Sequence, residues 1–374
     1  FVFPEGVMKT MLPVGLGLFM RLMFKAAKTV DFLFLTYYTD GSKQRKRLSS
    51  LIRLYSPMYL SRRSVSFSAL RTERPINFLC RRRAAEWMIV MEKFDSLIIG
   101  EVAQDTNVDF DGTVVQAVGG AVYYSGCAAA NMGHKIAVLP KADLSQLDVT
   151  AAFHEKAPSI SVFPLNSPHS FVTKNVYHTA DRERRTSTVD SLIAPYTTDE
   201  VPVDQIDAAI WHLAGLAGGD IPNEMIPFAA KHAMVAIDVQ TMLRWVENGG
   251  MVYHDWKEKK ELLPYIRFLK TDAAEAEILT GLTDRAEAAK VLYGWGAKEI
   301  LITHNTEVLV YDGHEIYTCP IKARNLSGRT GRGDTTFAGY INERLTKDIP
   351  TALQTATALV PSPAPVRTWR ITSS

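Results

Sequence analysis

Six short apolar runs recur along the chain from Asp95 to Thr303, and this recurrence limits the available folds more than any other feature. They are Asp95–Gly100, Lys135–Leu139, Ala208–Leu213, Met234–Val239, Ile266–Lys270 and Glu299–Thr303. Each is too short for a globular helix and lacks the polar alternation of a strand with one wet face, so each reads as a strand buried on both faces. Helical periodicity fills three of the gaps, at Pro222–His232, Asp272–Leu279 and Asp284–Trp295. Gly119-Gly120 begins a further small-residue helix with Gly133 past its end. The alternation predicts an α/β class: a doubly wound, mostly parallel sheet with helices on both faces.

One segment breaks the alternation. Ser159 to Asp190 is polar and β-rich, with Phe171–Tyr177 leading to Asp181-Arg-Glu-Arg-Arg185. It reads as strands off the main sheet, either a small β lid around 159–190 or an ordinary surface hairpin. Residues 1–92 do not fit the alternation either. Phe1 to Lys93 holds 17 Lys+Arg against 6 Asp+Glu, and the rest of the chain holds 25 against 34. This basic, Ser/Arg-rich stretch has the composition of a disordered extension, an organellar transit peptide, or an arm for nucleic acid or anionic membrane. The domain is expected over 93–360, followed by an irregular, proline-broken tail at 361–374. Cys80, Cys127 and Cys319 are odd in number and widely spaced, which argues against a disulfide framework and for a reducing, cytoplasmic setting.

The chemistry concentrates in Leu326–Tyr340, a turn holding Gly328, Gly331 and Gly333 that runs into an apparent helix. Glycines here let the backbone close on a ligand, and N–H groups at a helix start attract an anion. Asp334 stands where a P-loop would have lysine. A carboxylate among such amides suits a general base for a substrate hydroxyl; an ordinary N-cap or dipole partner is the competing reading.

Three segments bear a resemblance to the ribokinase-like (PfkB) carbohydrate kinases. Phe268–Gly281 resembles the family's Asn-x-x-Glu segment. Thr330–Gly339 is similar to its C-terminal Thr-Gly-x-Gly-Asp signature. Leu97–Glu101 with Asp105, then Gly119-Gly120 and Met132–Val138, follow its N-terminal pattern. The resemblance implies phosphorylation of a hydroxyl on a sugar-like small molecule by ATP with Mg²⁺. By position, Asp334 is the implied base, and the amides of Gly331, Arg332 and Gly333 form the anion hole. Asp272 and Glu275 would organise Mg²⁺ through water, while Thr303 and Thr330 fall on the nucleotide side. Asp105, Gly119, Gly120 and Gln240 fall on the acceptor side, and a homodimer through the lid is implied.

Departures from the pattern point to an alternative. Gly328 replaces the signature's first Asp, Tyr123-Tyr124 fall near the usual acceptor-side Asn, and Arg332 separates the two glycines. A catalytically impaired relative that binds a sugar or nucleotide as a regulator would also carry these changes.

Overall fold

In the computed structural model, the structure describes residues 36–39, 46–49, 92–179, 185–321 and 331–358. The chain divides into two compact units, Phe1–Trp87 and Met88–Ser374. In the first, Thr36–Thr39 and Lys46–Ser49 pair antiparallel. The extension otherwise, Thr330, the glycine turn before Gly331 and the tail at 361–374 lie outside the described residues.

The second unit runs β1 (Glu92–Glu101), β2 (Ala103–Val108), β3 (Val114–Gly119), α1 (Ala121–Asn131), β4 (Ile136–Ala142), α2 (Val149–Lys156), β5 (Ser161–Val162), β6 (Leu165–Asn166), β7 (Phe171–Tyr177) and β8 (Arg185–Ser191). It continues with β9 (Ile206–Leu213), α3 (Met225–Ala229), β10 (Met234–Asp238), α4 (Gln240–Leu243), β11 (Arg244–Glu247), β12 (Gly250–Tyr253), α5 (Lys259–Leu262), β13 (Ile266–Asp272), α6 (Ala273–Thr280) and α7 (Arg285–Gly294). Last come β14 (Glu299–Thr303), β15 (Glu307–Tyr311), β16 (Ile316–Pro320), α8 (Arg332–Glu343) and α9 (Ile349–Ala358).

All six apolar runs lie in one central sheet, ordered β16-β15-β14-β13-β10-β9-β1-β4-β5, with β6 also on β4. Its core pairs are parallel; β15 and β16 close one edge antiparallel. The strands read as apolar throughout because both faces are covered. Leu97 and Ile99 enter the cluster that includes α6 and α7, while Ile98 packs with α1 and α2. Ile210, Phe268 and Leu301 pack under α8 and α9. The doubly wound α/β expectation therefore holds.

A second, six-stranded sheet lies off the first, ordered β11-β12-β8-β7-β2-β3. This corrects the boundaries expected for the lid. Residues 161–166 pair parallel with β4 on the central sheet instead, because they carry the chain along that sheet's edge. The second sheet recruits 103–119 and 244–253, which sequence periodicity did not assign. Asp105 sits inside β2 between Ala117 and Thr173.

Only Val102 separates β1 in one sheet from β2 in the other. The junction is fixed by buried Glu101, whose Oε1 accepts the Leu216 N–H at 2.6 Å, and by Asp220, which accepts the Ala217 N–H at 2.9 Å. Burial, and then the neighbouring Asp220, holds the Glu101 carboxyl well above the usual carboxylate range. Among the described residues no helix is long and apolar enough to cross a membrane.

Helix α8 is tied down along its length. Asn342 Oδ1 accepts from Ser96 Oγ at 2.7 Å, across 246 residues of sequence. Glu299, 2% exposed, accepts from Tyr340 Oη at 2.6 Å, from Arg344 Nε and Nη2 at 3.0 Å and from Arg267 Nη2 at 2.5 Å. Replacing Glu299 by Ala leaves the buried Tyr340 phenol without its partner and takes one partner each from Arg344 and the part-exposed Arg267, so Glu299→Ala is expected to cost about 2–3 kcal/mol in urea unfolding. A loss below about 1 kcal/mol would mean that these contacts do not hold the helix.

Candidate active site

Helix α8 starts at Gly331, whose φ of 80° only glycine adopts without strain. The next N–H groups, on Arg332 and Gly333, have no earlier helical carbonyl to bind and form the positive end of the helix. Asp334 lies in this first turn. Its side chain keeps a partly exposed edge while lying deep in the fold. Burial raises its pKa to about 6, helped by the charge of Asp238 and opposed by Lys270 and Arg244.

Lys270 is the counter-charge. It stands in β13, 6% exposed, with Nζ 2.7 Å from Asp238 Oδ2 at the end of β10. A Cβ on Gly333 would fall 3.3 Å from Lys270 Nζ, so the ammonium lies against the first turn of α8. Burial works against its charge, but Asp238, Glu275 and Asp334 outweigh burial and hold the amine charged above its ordinary range. Neither Asp238 nor Lys270 was singled out from sequence. The available signal was a charged residue inside or ending an apolar strand, which must be paired to be buried.

Asp272 caps α6. Its Oδ1 accepts the Glu275 N–H at 2.8 Å, and Glu275 Oε2 accepts the Asp272 N–H at 2.8 Å. Glu275 is 4% exposed, and burial lifts its pKa to about 7 although Lys270 pulls it down. A cation near this carboxyl would relieve the penalty, and all-oxygen donors suit Mg²⁺. Among the described residues no group of three His, Cys, Asp or Glu side chains could hold an ion directly. Thr303 ends β14 opposite Asp272, with Oγ1 3.5 Å from the Thr271 carbonyl.

The acceptor-side expectations converge on the second sheet. Asp105 Oδ1 accepts from Thr173 Oγ1 at 2.5 Å. A Cβ on Gly119 would fall 2.6 Å from Asp105 Oδ2, and one on Gly120, whose φ is 106°, would meet the Glu101 carbonyl at 2.5 Å. Both glycines are thus required by the close approach of β2 and β3 to the junction. Gln240 opens α4 and is 8% exposed. Its Nε2 donates to the Gly215 carbonyl at 3.4 Å, and its Oε1 accepts from Arg244 Nη2. Arg244, on β11, was missed from sequence, yet its charge reaches both Asp334 and Asp220. Its strand belongs to a hairpin whose Asn248-Gly249 turn, with φ of 52° and 76°, is a readable signal.

His212 is buried beside this cluster, edge-on to Phe337 of α8 at 5.0 Å. Burial, with help from Lys270, pushes its pKa down to about 3, so the imidazole stays neutral, with one ring nitrogen protonated.

The geometry can therefore place one carboxylate and a helix start beside a buried cation, facing a polar sheet. A model of the pfkB family of carbohydrate kinases matches residues 170–359. A cytidine kinase of Thermococcus kodakarensis is 24% identical over 266 residues, covering 66% of this chain and 87% of that protein. A pyrophosphate-dependent kinase of the ribokinase family, solved with a pyrophosphate analogue and myo-inositol, is 30% identical with a TM-score of 0.66, over 73% of this chain and 97% of that one. Arabidopsis thaliana ribokinase with ribose and ATP shares the fold, at 17% identity and a TM-score of 0.56, over 71% of this chain and 91% of that one. With the family model spanning just over half of the chain, and a relative at 30% identity aligned along nearly all of its own length, this chain belongs to the pfkB family of carbohydrate kinases and is a small-molecule kinase.

Proposed function

We propose that this kinase transfers the terminal phosphoryl group of a Mg²⁺-bound polyphosphate donor to a hydroxyl of a small, sugar-like acceptor, with Asp334 as general base. The supporting observation is Asp334 itself, a carboxylate with a pKa raised to about 6 in the first turn of α8. An acceptor hydroxyl beside it attacks the terminal phosphorus, its proton passes to Asp334, and the bond to the leaving phosphate oxygen breaks. The amides of Gly331, Arg332 and Gly333 take up the charge on the moving group, with Lys270 behind them. Asp272 and Glu275 would hold Mg²⁺ through its waters, and the ion when bound neutralises charge on the donor. Asp105 and Thr173 orient the acceptor, with Gly119 and Gly120 making room and Gln240 setting Arg244.

ATP is the donor that the family pattern implies, with Thr303 and Thr330 on its side of the site. A second reading, inorganic pyrophosphate, is favoured by the 30% identity to a pyrophosphate-dependent kinase. Donor consumption measured with ATP and with pyrophosphate, against cyclitols, monosaccharides and nucleosides, separates the two. An acceptor that binds without turnover on either donor would identify a catalytically impaired member instead.

Asp334→Asn is expected to lower kcat by about 10²–10⁴-fold, the usual contribution of a general base. In the parent protein kcat/KM should rise with pH through about 6, as Asp334 loses its proton. A flat profile from pH 5 to pH 8 would remove Asp334 from the role. Stability runs the other way. The folded-state pKa lies above the ordinary 3.8, so the stabilisation present at low pH is lost as pH rises through about 6. Asp334→Asn should therefore raise Tm at pH 8 and leave it nearly unchanged at pH 4.

Lys270→Met removes the cation from Asp238 and Asp334. It is expected to destabilise by about 3–5 kcal/mol at pH 8 and by less at pH 5, where Asp334 takes up a proton. Equal losses at both pH values in denaturant titrations would contradict the charge argument. Trp245 and Tyr253, exposed on the β11–β12 hairpin at the sheet's edge, support a homodimer through the second sheet. Sedimentation should then give a dimer that Trp245→Lys dissociates.

A further inference from the structure

Tyr124 links the two halves of the site. It stands in the first turn of α1, and the base of its ring lies against the turn into α8. A Cβ on Gly331 would fall 2.5 Å from its Cγ and 2.7 and 2.8 Å from its two Cδ atoms. At the other end, its hydroxyl lies 3.1 Å from where a Cβ on Gly119 would stand, and that point is 2.6 Å from Asp105 Oδ2. A single side chain therefore spans from the helix start that carries Asp334 to the carboxylate of the second sheet. The neighbouring Ser125 fixes the same contact, its Oγ donating to the Asp334 carbonyl at 3.3 Å. Burial, then the charges of Asp105 and Asp334, push the phenol up, so it stays protonated and can donate.

The sheet face beyond Tyr124 is polar. Asp105 and Asn107 on β2, and Thr173 and Asn175 on β7, are two residues apart on their strands and so share a face. Asn175 Nδ2 donates to Asn107 Oδ1 at 3.2 Å, and Ser187 Oγ donates to Asn175 Oδ1 at 2.6 Å. These hydroxyls, amides and carboxylate bond one another here, and the alcohol groups of an acceptor would exchange with those bonds. A purine or pyrimidine ring needs instead an apolar slot of its own thickness. The phenol stands across the approach from that face to the start of α8.

We propose that Tyr124 closes the acceptor pocket, so that this kinase takes a compact polyhydroxylated acceptor, a cyclitol or monosaccharide, in preference to a nucleoside. The inference rests on the kinase reading above. Tyr124 touches both the acceptor side and the helix start, so its size sets how large a group can lie between Asp105 and Asp334. Its hydroxyl supplies one donor to the acceptor.

The test uses the full chain and its Tyr124→Phe and Tyr124→Ala variants, with myo-inositol, ribose and cytidine as probes. Calorimetric binding and donor consumption are measured side by side. The parent protein is expected to favour the cyclitol or the sugar over cytidine by about tenfold or more in Kd and in kcat/KM. Tyr124→Ala should narrow that ratio by about tenfold, mainly through KM. Tyr124→Phe, which keeps the ring, should weaken the preferred acceptor several-fold and leave cytidine unchanged. Cytidine preferred by the parent protein overturns the proposal. So does an unchanged ratio in both variants when their circular dichroism and Tm are native. If no donor is consumed with any acceptor, the kinase reading fails, while the ratio of binding constants still decides the role of Tyr124.

Discussion

A lysine ammonium buried inside a parallel sheet is costly, and the arrangement of this site follows from how that cost is met. Lys270 is paired with Asp238 at 2.7 Å, and its charge also acts on Glu275 and Asp334. Burial penalises the charge on Glu275 and Asp334, and the nearby Asp238 carboxylate adds to it, so they rise to about 7 and about 6 although Lys270 pulls both down. A base in that range is largely ionised at neutral pH yet basic enough to take a proton from an alcohol in the transition state.

The cluster works only if the first turn of α8 stays above Lys270. The restraints that keep it there are far from the turn itself: Ser96 with Asn342 in the last turn of the helix, and Glu299 with Tyr340 and Arg344. Holding the helix by its far end keeps these restraints away from the N-terminal amides. Phe337 and Tyr340 add the apolar contact against Phe268 and Ile210 that makes the placement rigid.

The central sheet was legible in the sequence because burial on both faces removes alternation and leaves plain apolar runs, as in Leu97–Ile99 and Ile136–Leu139. Asp334, Asp272 and Glu275 were legible because their motifs are short and local. The second sheet was not. Its strand β2, Ala-Gln-Asp-Thr-Asn-Val, is polar because its buried groups bond to one another instead of packing apolar, so hydropathy carries no strand signal there. Besides its hairpin neighbour β3, β2 pairs with β7, where Thr173 lies 68 residues beyond Asp105 and outside any local pattern. The turns of its hairpins were readable all the same, as Asp111-Gly112 and Asn248-Gly249, with glycine at φ of 84° and 76°. Lys270 and Asp238 stayed hidden for the opposite reason, since each sits at an apolar run's end where it looks like ordinary exposed punctuation.

The division of labour between the sheets has a chemical consequence. On the proposed reading, the phosphoryl machinery, from Lys270 to Asp334, rests on the central sheet, and the acceptor face rests on the second sheet, which the chain enters from β1 through Val102. Substitutions on the second sheet can therefore change which alcohol is held while leaving the electrostatics at Asp334 in place. Two side chains escape this separation. Arg244 lies on β11 yet lowers the pKa of Asp334, and Tyr124 lies on α1 yet touches both Gly331 and the environment of Asp105. On the proposed reading, a change at either position should alter recognition and chemistry together, so acceptor preference and proton transfer would be coupled at these two residues and separable elsewhere.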